Sequence, residues 1–194
     1  MRLRGLIVAR ILGICLFAHL AAYAEDQTRR IAVGVDPALE LLGAVQMLSH
    51  SKDVPEGFVY HQTPSALKAR EHFLALRDHR AVSLNDALDA KAFDYKRRSD
   101  VLLRLTPPPT LGPRELVPDM FIQLAGGKSK LEQWLAGLRD FAKDSSFHDF
   151  FKKYKEDLIP TTGVFAAAVE KMDYIGKIEQ YTGLPFNGQY SILL

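Results

Sequence analysis

Leu131, Trp134, Leu135, Leu138 and Phe141 recur at intervals of three and four, and the residues between them are polar or small. That is the spacing of one face of an α-helix. A helix with such a stripe is stable only when the stripe is buried against other elements. The chain must therefore supply partner helices, and it does. Ala38, Leu41, Leu42, Val45 and Leu48 share the period. They predict a helix from Pro37 to about Ser49, opened by Asp36 as a cap and Pro37 at the first helical position. Thr63-Pro64 repeats the signal and predicts a helix to about His79, with Leu67, Phe73, Leu74 and Leu76 apolar. Ser83-Leu84-Asn85-Asp86 reads as a capping-box-like start of a short helix to about Ala92.

Beyond that point the pattern varies. Phe93 to Leu105 is ambiguous between helix and strand, and so is Met120 to Ala125 before the Gly126-Gly127 stop. Thr106 to Pro113 carries Pro107-Pro108-Pro109 and Pro113, and reads as an exposed extended connection between two halves of one domain. Ser129 leads the helix of the opening stripe. After a break at Asp144-Ser145-Ser146, Phe147, Phe150, Phe151 and Tyr154 predict a second, short helix with Lys152, Lys153 and Lys155 outward. Pro160 and Gly163 punctuate lightly. Val164 to Tyr181 reads as one long helix ended by Gly183 and Pro185. Ile31 to Val35 and Gln189 to Leu194 read as strands. The expected fold is mainly α (α+β), a multi-helix domain with a small sheet from the first and last strands.

The first 24 residues have another purpose. Arg2, Arg4 and Arg10 supply a positive start, Ile11 to Leu20 an apolar run, and Ala22-Tyr23-Ala24 the small-residue pattern of a cleaved secretory signal. The run is interrupted by Gly13 and His19 and falls short of the roughly 20 apolar residues of a spanning helix. Cleavage after Ala24 leaves 170 of the 194 residues, with 22 of the 25 basic side chains, all 23 acids, and a net charge of −1. The only cysteine, Cys15, leaves with the signal, so the remaining 25–194 domain has no disulfide and no thiolate ligand. The expectation is an exported protein, periplasmic or secreted, with no stable membrane anchor once cleaved. The mild basicity belongs to the signal and is no nucleic-acid footprint.

No constellation of residues declares a chemistry. His72 and His79 lie seven apart on one expected helix, about 10 Å of rise, too far to share an ion without a third ligand. His148-Asp149 are adjacent, and adjacent helical residues do not face each other. His50 and His61 have no evident partner. Gly126-Gly127-Lys128-Ser129 has the last letters of a phosphate loop, but Ile122 stands where its first glycine belongs, so it reads as a helix stop and start. The Phe147-Phe150-Phe151-Tyr154 cluster reads as a buried stripe. No catalytic, cofactor-binding or metal residue is assigned, and no cofactor is expected.

The signal, Val33-Gly34-Val35-Asp36 running into Leu39-Glu40-Leu41-Leu42, the Phe141 to Phe151 segment (Phe-Ala-Lys-Asp-Ser-Ser-Phe-His-Asp-Phe-Phe) and the turn Tyr181-Thr182-Gly183 into a strand together resemble a group of secreted bacterial proteins with a domain of unknown function. Longer members look like zinc metallopeptidases, with a His-Glu-x-x-His helix in the following segment. This chain has no His-Glu dipeptide and ends on Ile192-Leu193-Leu194. The resemblance implies the non-catalytic N-terminal portion of such a peptidase, cut from a longer protein and lacking its active site. The alternative is a self-contained periplasmic helical module that binds a peptide or protein.

Overall fold

The computed structural model describes residues 31–49, 64–91, 93–185 and 190–193. The signal stretch 1–24 with Cys15, the lead-in 25–30, the 51–62 loop, the Thr63 cap, Ala92, His50 and His61 lie outside the described residues. In chain order the elements are β1 (Ile31–Gly34), α1 (Pro37–Leu48), α2 (Pro64–Phe73) with a 3-10 turn Leu74–Leu76, α3 (Arg80–Asp89) and α4 (Tyr95–Leu102). Then come α5 (Asp119–Leu124), α6 (Lys128–Asp144), α7 (Phe147–Met172), α8 (Tyr174–Thr182) and β2 (Tyr190–Leu193). The chain is mainly α, and its small sheet pairs the first and last strands in parallel, Ile31 opposite Tyr190 and Val33 opposite Ile192. No described helix is long and apolar enough to cross a membrane.

Residues 35–160 form one compact unit; β1, β2 and the helical stretch from Thr161 form another. The core of the first unit follows from the two clear stripes. The Asp36 carboxylate accepts from the Ala38 and Leu39 amides at 2.8 and 3.1 Å and so caps α1. Ala38, Leu41, Leu42, Val45 and Leu48 are buried, as are Leu131, Trp134, Leu135, Leu138 and Phe141 of α6. Helices α3 and α6 approach most closely at Gly137, where a Cβ would lie 3.0 Å from Leu84 Cδ1 and 3.4 Å from Ala81 Cα.

Four boundaries differ from expectation, each for a tertiary reason. First, α2 stops at Phe73 instead of running to His79, and of the four apolar residues in that stretch only Phe73 is buried. Leu67 and Leu74 lie about 100° or more from Phe73 around a helix. Burying that ring against Phe141, Phe147 and Phe150 therefore turns them to solvent, where both are half exposed. Second, α3 begins at Arg80, not Ser83. The earlier start puts Ala81, Val82, Asn85 and Leu88 on one buried face.

Third, the 106–113 stretch is a closed turn rather than an extended connection. Thr106 N–H donates to the Gly112 carbonyl and Gly112 N–H to Thr106 Oγ1, both at 2.8 Å. Leu105 bridges to Pro113, Leu111 is fully buried, and Arg139 of α6 donates to the carbonyls of Thr110 and Leu111. Fourth, α7 runs through Pro160 to Met172, and the helix expected over 164–181 is broken at Asp173. Asp173 adopts φ 44° and its carboxylate caps Gly176 N–H at 3.2 Å. Asp tolerates this left-handed conformation better than most residues.

These contacts separate stripe residues from bystanders. Leu138→Ala should cost about 2–5 kcal/mol in urea unfolding, whereas Leu67→Ala should stay within about 1 kcal/mol. Equal losses would contradict the placement of α2. Gly137→Val should cost about 1–3 kcal/mol by prising α3 from α6, despite valine's better helix propensity.

Candidate functional site

Each described residue singled out for chemistry has a structural partner or a solvent position. His72, near the end of α2, donates from Nε2 to the Ser145 carbonyl at 2.9 Å and stacks on Phe150, centroids 4.5 Å apart. His79 is not helical with it. It caps α3, its Nδ1 accepting from Ala81 N–H at 3.1 Å, with its other nitrogen 3.4 Å from an Asp144 carboxylate oxygen. Its ring meets Phe141 edge-on, so this histidine is a largely buried cap rather than a ligand. Gly126 and Gly127, at φ 86° and 106°, stop α5 and start α6. Phe147 is buried, and Phe150 and Phe151 pack partly buried against the core, with stacked pairs Phe147–Phe151 and Phe150–Tyr154 along α7.

His148 and Asp149 are exposed at the start of α7. They share an open groove of about 510 Å³ with Pro108, Pro109 and Lys143. Two further charged walls of that groove are already engaged. Arg139 holds the 106–113 turn and pairs with Glu132 at 2.7 Å, and Asp140 pairs with Arg80. The groove, which Ser146 also lines, therefore offers mixed charge on a fixed frame.

A polar network in the core was not foreseen from the sequence. Arg98 of α4 is fully buried and pairs with Asp89 of α3, donating also to the Asn85 carbonyl at 3.2 Å. Asn85 in turn donates to Gln46 of α1 at 2.8 Å, while Ser49 reaches Asp86. Burial pushes the Asp89 carboxyl up and the Arg98 guanidinium down, each against the pull of its partner. Desolvation thus outweighs the attraction, the usual balance for a buried pair. The available signal was positional: Asn85 interrupts the apolar stripe Ala81, Val82, Leu88 on the core face.

Glu40 is the other perturbed acid. Burial, and then the charge of Asp36 beside it, raise its carboxyl from 4.5 to about 7. Tyr154 is raised as well, by burial and by the charges of Glu40 and Asp157. Asp157 is bound by Lys68 at 2.8 Å. Among the described residues no group of three His, Cys, Asp or Glu side chains is placed to hold a metal ion.

The second unit has a different character. Of its helical residues only Val169 and Ile175 are buried. Val164, Phe165 and Met172 lie along α7, and Tyr174, Ile178 and Tyr181 share one face of α8 at i, i+4 and i+7. All six are exposed, Tyr181 to 92%. Apolar side chains at helical spacing that face solvent contiguously mark interaction sites far more often than scattered ones do.

Compared with family models, curated proteins and solved structures, the chain finds no match.

Because its folded carboxyl titrates near pH 7 and an unfolded one near 4.5, Glu40 holds its proton in the folded chain over that window. Its contribution is complete below pH 4.5 and lost as pH rises through 7. Glu40→Gln should therefore match the natural chain at pH 4 and exceed it at pH 8 by on the order of 1 kcal/mol, a figure reduced for solvent screening. Asp89→Ala should cost about 3–5 kcal/mol, and joint replacement of the pair by Arg98→Met and Asp89→Leu should recover most of it, read by thermal unfolding.

Proposed function

We propose that this chain is an exported helical module that holds a protein partner and does no chemistry itself. The observation that carries the reading is the set of exposed apolar side chains over residues 164–181; the charged groups of the groove in the 35–160 unit are, by contrast, largely engaged within that unit. Both sequence-level expectations ask the same of these side chains. The non-catalytic portion of a zinc-peptidase-like protein and a self-contained interaction module each require protein to cover them. An apolar helix face binds by the area it removes from water, and specificity comes from the polar rim.

The test is a photo-crosslinking amino acid placed at Tyr181 and, as a control, at Lys152 on the outward face of α7. Expressed in cells that export it, the chain should give a discrete protein adduct from position 181 and none from 152. Equal labelling at both, or none at 181, would overturn the reading. The chain dialysed against zinc should also retain far less than one equivalent by elemental analysis. Tight stoichiometric uptake would contradict a non-catalytic role.

A further inference from the structure

We propose that the corner where α3 ends and α6 begins binds a phosphate group, held by Lys91 and Lys130 over the Gly126-Gly127 turn. Lys91 follows α3 and Lys130 lies in the first turn of α6, so the packing of those two helices brings the pair together. A Cβ on Gly126 would lie 3.3 Å from Lys91 Nζ, 3.1 Å from Lys130 Cδ and 3.9 Å from Lys130 Nζ. Both ammonium groups thus converge on one spot above a glycine, a space that a side chain would fill. Neither forms an ion pair with a carboxylate of the described residues. Like charges held this close repel. Contact with Lys130, and then its charge, lowers the Lys91 ammonium, and no acid pulls it back.

The backbone beneath adds donors. Gly126 and Gly127 have φ 86° and 106°, and Gly127 opens the 17-residue α6 with no side chain to cap it. The amides of Lys130 and Leu131 donate to the Gly127 carbonyl at 3.1 Å. Those of Lys128 and Ser129, one step earlier, meet no acceptor among the described residues. Trp134, one turn on from Lys130, is fully buried edge-on to Phe93, and its indole N–H has no acceptor either. The corner is rich in donors and holds no anion of its own.

The ligand class follows from that inventory. A carboxylate brings one charge and two oxygens, and would leave one ammonium uncompensated. A phosphate group brings nearly two charges and several strong acceptor oxygens, enough for both lysines and the free amides together. Glycine lets it approach the backbone closely, and the start of α6 adds the positive end of the helix dipole. Gly126-Gly127-Lys128-Ser129 remains a helix stop and start; the lysine that completes the site, Lys91, comes from elsewhere in the chain. Gly126, Lys128 and Ser129 are exposed, so the site is open to free phosphate and to the end of a phosphomonoester.

Titration calorimetry at low salt, with inorganic phosphate and separately with glycerol phosphate, should give one site with a Kd below about 1 mM. Lys91→Met and Lys130→Met should each weaken it about tenfold or more, the loss expected for one charge-assisted hydrogen bond. Lys152→Met on α7 should change nothing, and added salt should weaken binding. Equal binding of the two probes supports a site for the phosphomonoester end, and binding of inorganic phosphate alone supports one for the free ion. Binding of neither at about 10 mM, or binding that both Met variants of Lys91 and Lys130 retain, overturns the proposal. Should a variant misfold, competitive acetylation of the natural chain decides. Phosphate should protect Lys91 and Lys130 but not Lys152 and Lys153, read by peptide mass spectrometry. Labelling of all four that phosphate leaves unchanged overturns the site.

Discussion

The close approach of α3 and α6 at Gly137 organises the 35–160 unit. Without a side chain there, Ala81 and Leu84 sit against the backbone of α6. That closeness brings the whole stripe from Leu131 to Phe141 into contact with the rest of the core. The C-terminal part of this helix then sets other elements. Phe141 meets Phe73 and His79, which determines where α2 stops and α3 starts. Arg139 reaches the carbonyls of the 106–113 turn and holds Leu111 inside. Burying a large apolar side chain yields about 1.5–3 kcal/mol, so losing any of these seats is a large fraction of a domain's stability.

Charge is distributed by the same geometry. Arg98 enters the core because α4 must bury Val101 and Leu102, three and four residues on, and the same face carries Arg98 inward. The cost of its desolvation is offset only in part by Asp89 and the Asn85 carbonyl, with Asn85 tied in turn to Gln46. Helices α1, α3 and α4 are thereby locked in one arrangement by directional bonds as well as by shape. Among the described residues, the helical stretch from Thr161 buries only Val169 and Ile175, which leaves its apolar side chains outward and is why we assign it a partner.

Much of the fold was legible in local signals. Asp36-Pro37 and the stripe behind it gave α1 to within a residue, since a cap and a helical face are both properties of a short segment. The same holds for α6, for the Gly126-Gly127 stop and for the Gly183 terminus, which has φ 68°. The two strands and their pairing were legible because β-branched and aromatic runs with no helical period remained at the two ends. What was not legible depended on distant partners. Nothing within 64–79 says that Phe73 outranks Leu67 and Leu74; that order comes from rings some 70 residues further on. Likewise the left-handed break at Asp173 and the continuous helix through Pro160 were not visible in spacing alone.

The sequence by itself determined the helical class, the main amphipathic faces and the terminal strand pair, because these follow from side-chain period and capping chemistry within a few residues. Only the tertiary structure decided which face of an ambiguous segment is buried, that a proline-rich stretch closes into a turn, and that an arginine lies in the core. It also decided which apolar stripes are spent inside and which remain outside. The physical reason is that burial is a competition among all the surfaces of a chain, and a local pattern states what a segment offers without stating what else is offered against it.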